Sequence, residues 1–246
     1  MTYEQTHVYA REKGVSRPLY AAIRMIVVPF MRIYFRLRIT GSEHIPRAGA
    51  AIIAPNHKSF FDSFFICAAS RRHMRFMAKS ELLEGSKGWL LLRLGAFPVR
   101  RGGADEEALE TAREILRQGG LLQLFPEGTR IPNPTELGKP HRGAARLALE
   151  TGATIIPTAI TGSDRLFFGP FPKPKQVRVS FGAPITITGP QATIEAAAQL
   201  TDELWPEIER EFHLLRSRKG VIAMTAAGIV TLAAGALTIS KRRHGS

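Results

Sequence analysis

Cysteine, acidic residues at the chain ends and several catalytic signatures are scarce or missing from this 246-residue sequence. The single cysteine, Cys67, excludes an intrachain disulfide and fits a reducing compartment. It stands in an apolar run, where we expect it to be inert core rather than a nucleophile. The absence of GxSxG, HExxH and P-loop signatures argues against a covalent serine mechanism and a zinc mechanism. The first 18 residues are polar and mixed in charge, so we expect no signal peptide.

Positive charge is concentrated at the two ends of the chain. The formal net charge is +13. Residues 1–50 contain eight basic and three acidic residues, and residues 216–246 contain six basic residues and no acidic one. The middle of the chain is nearly balanced and long enough for one sizeable core. Basic ends suit an anionic membrane surface at least as well as nucleic acid.

Residues 17–38 are mostly apolar, with Arg24, Arg32 and Arg36 at spacings of eight and four. This pattern predicts a helix with the arginines on one face and a kink at Pro29. Such a helix suits the membrane–water interface, with apolar groups among acyl chains and guanidinium groups among phosphates. The alternative is a helix packed on the core with solvated arginines. We therefore interpret residues 1–39 as an amphipathic, membrane-interface helical segment.

A second apolar stretch lies near the C-terminus. From Gly220 to Ser240 the sequence has no charged residue, and basic residues flank it on both sides. A helix of that length measures about 31 Å, enough to cross a bilayer. Residues 216–246 are thus predicted to form a basic-flanked transmembrane segment, with an interfacial or disordered tail as the alternative. The positive-inside rule does not orient this segment, because both flanks are basic.

Between these segments, residues 40–215 alternate apolar and amphipathic stretches. Strands are predicted at residues 50–54, 74–79, 121–124, 154–160 and 177–181. Helices are predicted at residues 105–118, 143–150 and 193–215. The alternation predicts an α/β fold in which helices flank a mixed sheet.

The sequence NHKSFFD, residues 56–62, follows the first predicted strand and Pro55. His57 is therefore expected at the carboxyl end of a strand, where open α/β sheets place their chemistry. Asp62 can fold back onto one ring nitrogen of His57, fix its tautomer and leave the other nitrogen to accept a proton. The alternative is a capping Asn56, a surface histidine and a solvated carboxylate.

Three further motifs follow in order: GAFPVRR at residues 95–101, FPEGTR at residues 125–130, and an apolar pair before Pro157. Together with the HxxxxD box, they resemble the glycerolipid acyltransferase family of PlsC-type 1-acylglycerol-3-phosphate acyltransferases, over roughly residues 40–190. The resemblance implies a catalytic domain at residues 40–215, with His57 as general base and Asp62 as its orienting group. The second motif matches less closely, because either Arg100 or Arg101 could be its arginine. Counting from Gly95 favours Arg101.

The resemblance also implies a phosphate site formed by the second and third motifs. Arginine suits planar recognition of a phosphate, and Gly128 lets the backbone approach a ligand. A carboxylate beside a phosphate is unusual, so we expect Glu127 to position arginines or a hydroxyl. The oxyanion donor is left open between Asn56, Ser59 and a backbone amide. The predicted substrate-binding residues are Asn56, Ser59, Arg100, Arg101, Glu127, Gly128, Thr129 and Arg130. Taken alone, the arginines also fit a solvated basic surface.

The expected reaction is acyl transfer from an acyl-CoA or acyl-carrier-protein thioester to the free hydroxyl of a lysophosphatidic acid, giving phosphatidic acid. We expect no metal and no cofactor beyond the thioester co-substrate. The expected partners are membrane lipids and a lysophospholipid acceptor, not nucleic acid, with the catalytic domain on the cytoplasmic side of a bacterial inner membrane. The sequence predicts neither acyl-chain length nor oligomeric state.

Two alternatives stay open. The nearer one is the same chemistry on another acceptor, such as glycerol-3-phosphate, another lysophospholipid or a glycolipid. The more distant one is a non-catalytic protein that binds anionic lipid or nucleic acid. A non-catalytic protein would be expected to lack His57 or Asp62, and both residues are present.

Overall fold

The computed structural model describes residues 1–100, 102, 105–168, 171–187 and 192–217. Their strands are β1 (Arg38–Thr40), β2 (Ala51–Pro55), β3 (Met74–Lys79), β4 (Ala96–Val99), β5 (Leu121–Gln123), β6 (Thr154–Thr161), β7 (Phe167–Phe168), β8 (Phe171–Pro172) and β9 (Arg178–Phe181). Their α-helices are α1 (Tyr3–Glu12), α2 (Arg17–Tyr34), α3 (Asp62–Ala69), α4 (Gly85–Arg93), α5 (Glu106–Arg117), α6 (Gly143–Thr151) and α7 (Ile194–Arg216). Short 3-10 helices occupy Ser42–His44 and Ser80–Leu83.

Seven of these strands form one sheet, in the order β1-β9-β6-β2-β5-β3-β4. Neighbouring strands run parallel except β6 and β9, which are antiparallel. The central strand β2 ends at Pro55, which has no amide hydrogen to continue the ladder. The predicted α/β fold with a mixed sheet and flanking helices is confirmed, and His57 follows the carboxyl end of a central strand.

Helices cover both faces of the sheet. Residues of α5, α6 and α7 form one apolar core with Ile52 and Leu122 of the central strands. Residues around α2 and α3 form a second core with Ile53 and Leu121. Successive side chains of a strand point to opposite faces, so neighbours such as Ile52 and Ile53 enter different cores. This explains why the central strands are continuous apolar runs.

The N-terminal segment contributes to both of these cores. Helix α1 supplies Ala10 to the core beneath α5, and α2 supplies Met31 to the core beside α3. Strand β1 then joins the edge of the sheet by pairing with β9. The division of the chain into residues 1–39, 40–215 and 216–246 stays a prediction.

The arginines of α2 do not form the predicted stripe. Helix α2 ends at Tyr34, and Arg36 lies beyond it with φ 44°, donating to the carbonyl oxygen of Pro174 at 3.1 Å. The Arg24 guanidinium donates to two carbonyl groups in the last turn of α3, at 2.9 and 3.2 Å. These are the carbonyls that a helix leaves without partners of its own, so Arg24 caps α3 instead of facing outward. The prediction of one face shared by three arginines is therefore wrong.

The outward surface of α2 is largely apolar instead, although Arg17 and Arg32 are also exposed. Its exposed large apolar side chains are Met25, Ile26, Phe30 and Ile33. Over the part of the chain that the structure describes, no helix is both long and apolar enough to cross a membrane. The predicted helix at residues 220–240 lies outside the described residues.

No sequence pattern predicts the hairpin of β7 and β8. Its two strands are antiparallel and pair Phe167 with Pro172. Each strand is only two residues long, so no alternating pattern of side chains signals it.

Candidate active site

The loop after β2 folds His57 and Asp62 together. Asp62 is the first residue of α3, and its Oδ2 atom accepts a hydrogen bond from His57 Nδ1 at 2.9 Å. The same oxygen accepts from the backbone amides of Lys58 at 2.6 Å and Ser59 at 2.8 Å. A carboxylate is also favoured at the first turn of a helix by the exposed amide groups there. The contact expected between His57 and Asp62 is present.

The imidazole ring of His57 is held on two sides. Asp62 is fully buried, and the His57 side chain is 10 % exposed. The ring of Phe125, the first residue of the FPEGTR motif, stacks on it with a centroid separation of 3.7 Å and an interplanar angle of 20°. With Nδ1 occupied by the carboxylate, Nε2 is the nitrogen left for a substrate.

Glu127 of the FPEGTR motif joins two loops. Its Oε2 atom accepts from the backbone amide of His57 at 2.5 Å, and its Oε1 atom accepts from the amide of Gly138 at 2.7 Å. Burial raises the pKa of Glu127, and the two backbone donors oppose part of that shift. The side chain therefore positions the backbone of His57. This corrects the expectation that it positions arginines or a hydroxyl.

Asn56 is likewise occupied within the fold. It is fully buried, and its Nδ2 and Oδ1 atoms pair with the carbonyl and amide of Ile160 at 3.1 and 2.8 Å. Asn56 thus ties the end of β2 to β6, and its buried side chain is not part of the cavity lining described below. Of the predicted oxyanion donors, the amides of Lys58 and Ser59 are also engaged, by Asp62. The Ser59 hydroxyl accepts from the Phe61 amide at 3.3 Å and keeps its own proton to donate.

A cavity of about 460 Å³ opens beside His57. Its polar lining includes Lys79, Arg100, Gly128, Thr129 and Arg130. Its apolar lining includes Phe60, Phe64, Phe76, Met77, Leu82 and Leu91. The fold thus brings four of the predicted substrate-binding residues to the wall that His57 shares, whereas Arg101 lies outside the described residues.

Two of these predicted residues are held by specific contacts. The Arg100 guanidinium lies 3.8 Å from the ring centroid of Tyr3, and its backbone amide donates to Asp105 at 2.7 Å. Gly128 has φ 63°, and an added Cβ would come within 3.0 Å of the His141 ring. The turn of the FPEGTR motif therefore requires glycine at this position.

The family model described as "Acyltransferase" matches residues 36–161, about half of the chain, and includes the HxxxxD and FPEGTR motifs. The chain belongs to the acyltransferase family.

Two curated relatives of this family member are 1-acyl-sn-glycerol-3-phosphate acyltransferases by name. The chloroplastic LPAT1 of Arabidopsis thaliana is 26% identical over 137 residues, covering 54% of this chain and 38% of the relative. The Pseudomonas aeruginosa protein is 29% identical over 127 residues, covering 50% of this chain and 49% of the relative. The chain therefore spans less than half the length of both.

A solved structure shares the fold. The crystal structure of the 1-acyl-sn-glycerophosphate acyltransferase PlsC from Thermotoga maritima superposes with a TM-score of 0.62 at 24% identity, covering 80% of this chain and 83% of that one. At this level of identity the likeness is evidence about the fold alone.

Three side chains of this acyltransferase-family site were not predicted from the sequence. Phe125 stacks on His57, as described above. Lys58 is buried and donates to the carbonyl groups of Asn133 and Glu136, which holds the loop after FPEGTR, and burial lowers its pKa. Gln123 lines the cavity, buried, and neither atom of its amide has a hydrogen-bond partner among the described residues. A lysine in a loop is usually exposed, so the sequence carries no signal that Lys58 is buried.

Proposed function

We propose that the chain transfers a fatty acyl group from an acyl-CoA or acyl-carrier-protein thioester to the hydroxyl of a lysophosphatidic acid, forming phosphatidic acid. The observation that carries this proposal is the arrangement of His57, Asp62 and Phe125 at a cavity lined by both cationic and apolar side chains. A phosphate group suits the arginines, and a hydrocarbon chain suits the aromatic and aliphatic wall. The names of the matched relatives support the same acceptor.

The proposed reaction begins at His57. The Nδ1–H group of His57 is hydrogen-bonded to Asp62, so the neutral ring presents the lone pair of Nε2 to the acceptor hydroxyl. Nε2 takes the hydroxyl proton as the oxygen attacks the thioester carbonyl carbon, and Asp62 stabilises the imidazolium. The C–S bond breaks as the tetrahedral intermediate collapses, and the leaving thiolate recovers the proton. These steps require no metal and no cofactor beyond the thioester co-substrate.

The remaining site residues are assigned to binding and positioning. We assign the acceptor phosphate to Arg130 and Arg100, with Arg101 retained as a further candidate. Gly128 and Thr129 form the turn that carries Arg130 to the cavity. In this proposal the Ser59 hydroxyl is the oxyanion donor, because it keeps a proton to donate, whereas the Asn56 side chain and the amides of Lys58 and Ser59 already have partners.

We also propose that the apolar outward face of α2 lies in the membrane–water interface on the cytoplasmic side. Exposed Met25, Ile26, Phe30 and Ile33 form a continuous stripe on that helix. A lipid acceptor resides in the bilayer, so a catalytic domain held at its surface meets the substrate there.

The test is thiol release from palmitoyl-CoA, with and without lysophosphatidic acid, by the wild type, His57→Ala and His213→Ala. His213 is an exposed histidine of α7 and serves as the control. Acceptor-dependent release by the wild type and the control, lost in His57→Ala, is the expected result. Release without acceptor would indicate a thioesterase, and a His57→Ala variant with near-normal rate would contradict the mechanism. A panel of lysophospholipids, glycerol-3-phosphate and glycolipids, assayed in the same way, identifies the preferred acceptor.

A further inference from the structure

Exposed phenylalanines lie between the cavity and the C-terminal end of α2. We call Phe60, Phe167 and Phe171 the aromatic platform; their side chains are exposed by 41%, 41% and 72%. Phe60 and Phe61 are adjacent rings 5.3 Å apart, and Phe61 lies 5.0 Å from Phe167. The rings of Phe60, Phe61 and Phe167 are therefore contiguous from the HxxxxD box to β7, and Phe171, the most exposed of the set, lies on the paired strand β8. Contiguous exposed apolar surface of this kind marks a site of interaction.

The hairpin is held in place against both α2 and the box. The Tyr34 hydroxyl at the end of α2 donates to the carbonyl oxygen of Pro172 in β8 at 2.7 Å. On the other side, the Phe167 ring packs on Phe61, next to Phe60. Phe60 itself lines the cavity that His57 shares. The platform thus connects the apolar outward face of α2 to the mouth of the cavity.

The charge of the surrounding segments indicates the partner. Residues 13–42, which include α2, contain six basic residues and no acidic one. Residues 165–187, which include the hairpin, contain four basic residues and no acidic one. Aromatic side chains flanked by basic residues suit the headgroup region of an anionic bilayer, where rings insert below the phosphates.

We propose that the aromatic platform docks on an anionic bilayer and holds the mouth of the cavity at the level of the lipid headgroups. The proposal rests on the proposed function, since a lipid acceptor must pass from the bilayer to His57. It adds a second contact to that of α2. Because Phe60 belongs to both the platform and the cavity wall, docking at the platform places the cavity mouth at the bilayer surface.

The first measurement is sedimentation with vesicles of equal parts phosphatidylglycerol and phosphatidylcholine. Phe171→Ser is compared with Ile194→Ser, because Ile194 is also exposed by 72% but begins α7, which packs on the other face of the sheet. Loss of one phenylalanine from the interface is expected to lower the partition constant about tenfold. Ile194→Ser should bind as the wild type does, and added salt should weaken binding of all three. Equal binding by the two variants would overturn the proposal.

The second measurement separates docking from folding and from catalysis. Thiol release is assayed with a lysophosphatidic acid embedded in the same vesicles and with a short-chain, monomeric one. Phe171→Ser should lower kcat/KM about tenfold for the vesicle acceptor and leave it unchanged for the soluble acceptor. An equal loss on both acceptors would show a structural role and overturn the proposal. If the wild type turned over neither acceptor, the proposed function would fail, while sedimentation would still decide whether the platform binds the bilayer.

Discussion

Asp62→Asn tests how the histidine is activated. The Oδ2 atom of Asp62 accepts from His57 Nδ1 and from the amides of Lys58 and Ser59. Its Oδ1 atom has no hydrogen-bond partner within the described residues. Two backbone donors require an acceptor, so the asparagine oxygen should take the place of Oδ2 and its NH₂ group the place of Oδ1. The ring should then keep both its orientation and its tautomer.

What Asp62→Asn removes is the negative charge opposite the imidazolium. A hydrogen bond to a charged group contributes about 1.5–3 kcal/mol, against about 1 kcal/mol for a neutral pair. The difference of about 0.5–2 kcal/mol corresponds to a loss of about 2- to 30-fold in kcat. Removing the base itself in His57→Ala should cost about 10²- to 10⁴-fold. In Asp62→Ala, two buried amides lose their acceptor, and each should lower the free energy of unfolding by about 1–3 kcal/mol.

The assay is thiol release at saturating acceptor, with urea unfolding of each variant to measure stability. We expect kcat to decrease in the order wild type, Asp62→Asn, His57→Ala, and we expect the asparagine variant to be less destabilised than Asp62→Ala, because its oxygen still accepts from both amides. An asparagine variant as inactive as His57→Ala would refute the reasoning, because it would show that the backbone amides do not dictate the orientation of this side chain. An asparagine variant with unchanged kcat would refute the role of the charge.

Three further outcomes are expected. Arg130→Ala should raise the acceptor KM about tenfold or more with little change in kcat, since a charged hydrogen bond to the phosphate is lost, and an unchanged KM would argue against that contact. Glu127→Gln should lower the free energy of unfolding by about 1–3 kcal/mol in urea titrations, because its NH₂ group would face a backbone donor at His57 or Gly138, and equal stability would contradict this. Burial raises the pKa of the Cys67 thiol to about 12 from 9.0. The thiolate fraction at pH 8 is then lower by about a thousandfold, so iodoacetamide should label the folded protein far more slowly than the urea-unfolded chain, and equal rates would show a reactive thiol.

Most of the sheet and its helices could be predicted from local patterns. The strand at Met74–Lys79 and the helix that Asp105 caps follow from apolar runs, side-chain periodicity and capping residues, which act over a few residues. The β7–β8 hairpin could not be predicted, because strands of two residues have no periodicity. The sequence predicts an end of α2 beyond Tyr34, where the helix ends, for a related reason. The apolar run continues through Leu37, where the chain leaves the helix to enter β1.

In the site, too, some contacts follow from the local sequence and others depend on the tertiary structure. The spacing of His57 and Asp62 determined their contact, because a turn into α3 brings residues five apart together, and this geometry is local. Which groups hold those residues was decided only by the tertiary structure. Because β2 pairs with β6, Asn56 forms hydrogen bonds with the backbone of Ile160. The loop after β5 brings Glu127 to the amide of His57 and stacks the Phe125 ring on the imidazole. Those partners are about 70 to 100 residues apart in sequence. The outward direction of the α2 stripe was decided in the same way, because the packing of Arg24 on α3 turns the apolar face outward. A sequence pattern predicts contacts that the chain makes with its near neighbours, whereas burial and the choice among distant partners depend on how the elements pack.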